Sequence, residues 1–136
     1  SSKGGGYAHG VRLVGMFELV RPVSHRVRRA RVLAALRDGQ LRRQAACGAD
    51  ARLVAAARFH GREAGRACPV CGSDELREVR FVYGDELGER AGTARGRREL
   101  EALVAELGEV GVHLVEVCPR CVWNHLLESG VAVPQR

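Results

Sequence analysis

Four cysteines stand as two pairs, Cys68-Pro69-Val70-Cys71 and Cys118-Pro119-Arg120-Cys121, with 46 residues between Cys71 and Cys118. A C-x-x-C turn brings both of its sulfurs to one side of a tight loop. Two such turns supply the four soft donors that a tetrahedral zinc ion takes. Pro69 and Pro119 stiffen the turns by fixing φ. Gly72 relieves crowding after the first pair, whereas Val122 stands where glycine would be easier after the second. The expectation is one structural Zn2+ held by Cys68, Cys71, Cys118 and Cys121. The competing reading is unligated cysteines or a pair of redox-active dithiols.

Four thiolates close a coordination sphere, and a catalytic zinc keeps a position open for water. The centre therefore reads as a clasp that contributes ~10 kcal/mol or more of metal-binding energy to folding. Arg66 and Arg120 flank the pairs, either to offset their negative charge or as solvated side chains. Cys47 reads as a small buried hydrophobe. His113 and His125, on strands beside the second pair, read as satisfied structural histidines, with His125 near the metal as the alternative. Asp85, Glu86 and Glu89 read as a solvated loop. No Walker loop, G-x-G-x-x-G, G-x-S-x-G or H-E-x-x-H occurs. No set of nucleophile, base and oxyanion donor assembles, so no enzyme activity and no small-molecule substrate are expected.

The elements that must position these sulfurs are legible from periodicity. Leu76–Gly84 alternates, with Val79, Phe81 and Tyr83 on one side, and reads as a strand. In residues 97–108, Leu100, Leu103, Val104 and Leu107 follow i, i+3, i+4, i+7 and Gly108 closes a helix. Residues 110–117 form a second strand running into Cys118, and 122–133 a third, bent at Gly130. Upstream, residues 23–39 form a helix capped by Ser24, with Val32, Leu33 and Leu36 on one face and Arg29 misplaced among them. Residues 41–47 form a short second helix. Residues 50–61 form a third, capped by Asp50, with Leu53, Val54 and Ala57 as its stripe. The fold class is α+β: a three-helix unit, then a zinc-ribbon-like antiparallel sheet with one inserted helix. The boundaries are 1–20 as a disordered start or expression remnant, 21–61 as the basic helical unit, and 62–136 as the ribbon domain, with 61–67 as a linker. Met16 is the sole methionine, and native translation is expected to start near it.

Charge divides the chain of 136 residues, whose net value is +6. Residues 1–67 carry 14 basic and 4 acidic side chains, and residues 68–136 carry 8 and 12. A basic half invites an anionic surface, although arginine-rich composition bias explains part of it. Arg26, Arg28, Arg31, Arg37, Arg42 and Arg43 are the candidate partner-binding side chains. Trp123 either packs on the ribbon or anchors a partner. Aromatics make up only 4%, too few for a base-stacking platform. No apolar run approaches the ~20 residues of a membrane helix. The odd cysteine count and paired spacing fit a reducing, cytoplasmic setting.

The segments CPVCG, YGDELG (Tyr83–Gly88) and CPRCVWNHLL, behind RRARVLAALRDGQ and CGADARLVAAARFHG, resemble a family of small actinobacterial proteins of unknown function. The resemblance spans about residues 24–128 and excludes the glycine-rich start. It implies an intracellular zinc protein and no particular activity. The expected function is a non-enzymatic adaptor docking on RNA polymerase or the ribosome, with DNA or RNA contact by its arginines. The alternative is a helix-turn-helix DNA-binding regulator with a structural zinc. Against it, the third helix offers only Arg52, Arg58 and His60 to read bases.

Overall fold

The structure, a computed structural model, describes residues 12–14 and 17–135. Three long strands form its middle. β4 (Arg77–Tyr83) pairs with β6 (Val110–Val117), and β6 pairs with β7 (Asn124–Pro134). On the far side of β7 lie β2 (Phe17–Ser24) and β1 (Arg12–Val14). The short strands β3 (Arg62–Glu63) and β5 (Ala94–Arg95) both attach to β4. Among the described residues the sheet order is β1-β2-β7-β6-β4-β3, and every pair is antiparallel.

Period-two alternation sets the faces, because neighbouring side chains along a strand point to opposite sides. Register places Val82 beside Val112 and Glu78 beside Glu116 on one face, with Val79 beside Val115 on the other. The first face is covered at one end by α4 (Arg97–Leu107), whose Leu100, Leu103 and Val104 meet Phe17, Leu19, Val82, Val110, Val112 and Ala132. Glu99 reaches back to the Gly96 amide and stabilises the start of α4. Each leucine fully buried here contributes on the order of 2 kcal/mol. The second face meets α3 (Ala51–His60) through Leu53 and Ala57, packed on Val79, Val115 and Val117. Asp50 caps α3 by accepting the Leu53 amide at 2.9 Å, as its sequence position requires.

Helix α1 (Arg26–Arg37) and the four-residue α2 (Arg43–Ala46) sit at the cysteine end. Val32, Leu33, Leu36 and Ala46 pack against Trp123, Leu76 and the paired cysteines. The three helices thus join two different clusters and do not form a separate bundle. Ser24 belongs to β2, and His25 takes the N-cap position of α1 without a side-chain cap bond.

Two boundaries differ from the sequence reading. Residues 17–24, split there between a disordered start and the helical unit, form a strand with Phe17 and Leu19 buried. Their partner is β7, more than a hundred residues away, so local pattern alone undervalued a short run interrupted by Pro22. Residues 61–67 are likewise no free linker: β3 pairs with β4, and the Ala64 amide donates to the Leu76 carbonyl at 2.9 Å. Against β6 the register of β7 shifts after Leu126, and against β2 it shifts at Gly130. Gly130 also admits β2, since a Cβ there would lie 3.0 Å from Leu19 Cγ and 3.1 Å from the Val20 carbonyl oxygen. Most of the glycine-rich start lies outside the described residues.

Candidate metal centre

The two cysteine turns close in the same way. In the first, Gly72 donates its amide to the Cys68 carbonyl at 3.0 Å, and the Cys68 amide donates to Ser73 at 2.8 Å. In the second, Val122 donates to Cys118 and Cys118 donates to the Trp123 carbonyl, both at 2.9 Å. The residue after each pair must turn left-handed: Gly72 has φ 78° and Val122 has φ 58°. A β-branched residue in that region carries a steric cost of about 1–2 kcal/mol. Val122 therefore holds the glycine-type conformation against its own preference, and its carbonyl anchors the loop before α3 by accepting the Ala49 amide at 3.0 Å.

Register brings the turns together. Arg77 faces Val117 across β4 and β6, so Cys71 and Cys118 lie beyond the same end of one strand pair. The sulfurs of Cys68, Cys71, Cys118 and Cys121 lie within 4.8 Å of one another. Cys68 Sγ is 3.7 Å from Cys121 Sγ, and Cys71 Sγ is 3.7 Å from Cys118 Sγ. None of the four is in a disulfide. Cys68 and Cys118 are buried, whereas Cys71 and Cys121 are partly exposed. Burial pushes the Cys68 thiol up to about 12, and it raises Cys118 as well. Burial acts the same way on Cys71, but the Ser73 amide and the neighbouring sulfurs outweigh it and hold that thiol below its ordinary value. Four thiolates so close together would need a compensating cation, and the set of four could hold a single metal ion.

Arginine placement around the cluster departs from the flanking order in sequence. Arg66 turns away to Glu116 and Glu78, and Arg120 pairs with Glu75 at 3.7 Å. The Cys121 and Cys47 sulfurs lie near the exposed Arg43 and raise its pKa. Cys47 packs beside the cluster without joining the four.

Trp123 is fully buried. It is no docking side chain, because its indole N–H donates to Glu116 Oε2 at 2.8 Å and its ring stacks on His125 at 5.8 Å. Glu116 is itself fully buried and also accepts from Arg29 and Arg66. Arg66 continues to Glu78, which Arg62 reaches at 3.1 Å. Burial would lift both carboxyls, but Arg29, Arg66 and the Trp123 N–H hold Glu116 below the usual carboxylate range, and Arg66 and Arg62 do the same for Glu78. A misfit of sequence could have revealed this network. Glu116 sits in phase with Val110, Val112 and Leu114, and Arg29 sits in the apolar stripe of α1. Opposite charges on two facing apolar surfaces imply a pair.

The other expected residues are dispersed. His113 rests on the Tyr83 ring at 4.3 Å, and its burial, then the charge of His25, lowers its pKa. Register puts His113 opposite Ser129 and His125 opposite Glu116, so alternation sends the two histidines to opposite faces. Arg26, Arg28, Arg31, Arg37, Arg42 and Arg43 are all exposed. Asp85, Glu86 and Glu89 are exposed on a short 3-10 segment that buries Leu87. No helix among the described residues is long and apolar enough to cross a membrane.

Uncharacterized proteins Mb0050 of Mycobacterium bovis and Rv0049 and MT0055 of Mycobacterium tuberculosis are each 38% identical over 117 residues, covering 84% of this chain and 85% of the relative. No solved structure matches. Residues 18–135 match the family of unknown function DUF5318, and the chain belongs to that family.

Proposed function

We propose that the protein is a non-enzymatic zinc protein whose metal clasps the ends of two distant strands and so presents the arginines of α1 and α2 to a partner. The observation that carries the metal reading is the pair of 3.7 Å sulfur separations. With Zn–S bonds of about 2.3 Å, a tetrahedron has edges of about 3.8 Å. Four thiolates leave no vertex for water, so the ion is structural and the fold is a ribbon-like sheet extended by β2 and β7. Metal analysis and X-ray absorption of the native protein test this. One zinc with four sulfur neighbours is the expected result. An oxygen neighbour at the metal, or a chain that folds fully without metal, overturns it.

The partner is a macromolecular machine of gene expression, RNA polymerase or the ribosome, met in the cytoplasm. Arg28, Arg31, Arg37 and Arg42 are exposed on and just after α1, with no carboxylate paired to them among the described residues. Such a surface favours an acidic or phosphate-bearing partner. A helix-turn-helix use of α3 is disfavoured because α1 and α3 pack in different clusters. Affinity capture of the full chain from its native cells tests the docking reading. Enrichment of polymerase or ribosomal subunits, lost when Arg28, Arg31 and Arg42 become serine, supports it; recovery independent of those arginines overturns it.

A further inference from the structure

A cavity of about 620 Å³ opens on the sheet face that carries Glu78, away from the cysteines. It lies within the range of about 300–1,000 Å³ typical of small-molecule sites. Five arginines line it, and each comes from a different element: Arg26 from α1, Arg62 from β3, Arg80 from β4, Arg95 from β5 and Arg97 from α4. Only two lining residues are acidic, Glu78 and Glu128, and both are buried. Helix surfaces often carry charge runs for solubility, but five elements converging on one hollow is a different arrangement. Glu78 pairs with Arg62 at 3.1 Å and balances part of this charge, while Arg26 and Arg97 are exposed at the rim.

Arg97 is held loosely: it sits 3.5 Å from Glu101, beyond good hydrogen-bond length, and can turn inward without giving up a strong bond. Arg95 is held more firmly, donating to Thr93 Oγ1 at 3.0 Å. The start of α4 also opens here, since Gly96 lines the cavity and the positive end of the helix dipole lies beside it. Arginine's planar fork matches phosphate oxygens in pairs. Val112 and Leu114 provide an apolar floor, which suits an uncharged body attached to the phosphate.

We propose that this cavity is a binding site for a small organic phosphate, with the phosphoryl group taken by Arg26 and Arg97 and the apolar body lying on Val112 and Leu114. The site is separate from the metal centre and goes beyond the docking role, because the hollow is too small for a duplex and is lined by a different set of side chains.

Calorimetric titration of the full, metal-loaded chain with adenosine monophosphate and with inorganic pyrophosphate tests it. Saturable one-to-one binding of at least one probe is expected, weakened about tenfold by Arg26→Ser and by Arg97→Ser and unchanged by Arg58→Ser, which lies outside the cavity. Arg26 and Arg97 are exposed, so circular dichroism should show an intact fold in both variants. The proposal is overturned by any of four results: no saturable binding, equal binding in the Arg26 and Arg97 variants, sulfate competing as well as either probe, or a short RNA that binds more tightly with the same arginine dependence. The last would reassign the cavity to a nucleic-acid backbone.

Discussion

Two residues show how much local strain and buried charge this small structure tolerates. Val122 occupies the left-handed position that Gly72 fills in the other turn. Val122→Gly is expected to raise the stability of the metal-loaded protein by about 1 kcal/mol. Gly72→Ala is expected to lower it by about 1 kcal/mol, although open space surrounds that Cα, because the cost there is purely conformational. Denaturant titration of both variants checks the pair, and a loss of stability in Val122→Gly would show that its left-handed conformation carries no cost. Glu116 is the second case. Glu116→Gln leaves Arg29 and Arg66 without their shared charge and should cost about 2 kcal/mol at neutral pH. The folded carboxyl is held below its unfolded value near 4.3. Its contribution is therefore complete above that value and disappears as the pH falls through the lower folded one. Stability curves of wild type and E116Q should run parallel above about pH 5 and converge in more acidic solution. A constant gap throughout would show that the ionised form is not what stabilises.

At the scale of elements, the passage from α3 into β3 is the tightest joint. Gly61 closes α3 by donating to the Ala57 carbonyl, and a Cβ on it would lie 2.4 Å from that oxygen and 3.1 Å from the Glu78 carbonyl oxygen. Both obstacles are backbone, so neither can swing aside. Gly61→Ala should cost about 2 kcal/mol or more and shift β3 off β4, loosening the Arg62 and Arg66 contacts to Glu78. Thermal unfolding and amide exchange at Arg62 and Glu63 report the two effects; an unshifted Tm would show that the joint is pliable. The helices themselves were readable. Asp50 capping and the Leu100–Leu107 stripe fixed α3 and α4, since both signals are local. The route of α1 was not, because its apolar face meets the cysteine turns through Val32, Leu33 and Leu36, contacts no helical period can specify.

Over the whole molecule, packing divides into a cysteine end around Trp123 and an opposite end around Leu100. Removing the metal by chelation should raise hydrogen exchange in α1, α2 and both turns, while α4 and the β2-β7-β6 strands keep most of their protection. Trp123 emission should move to longer wavelength in the same titration. Uniform loss of protection would mean that one cooperative unit depends on the ion. The residues of the candidate metal centre were determined by sequence alone, since two proline-stiffened C-x-x-C turns can be recognised without knowing where they lie. The same holds for the α+β class, whose periods of two and 3.6 are local properties of the chain. Tertiary structure decided the rest. It made residues 17–24 a strand through β7, buried Trp123 on Glu116, turned Arg66 to Glu116 and Glu78, and gathered five arginines around one hollow. Each of these depends on segments far apart in sequence meeting in space, and spacing along one chain carries no measure of that meeting.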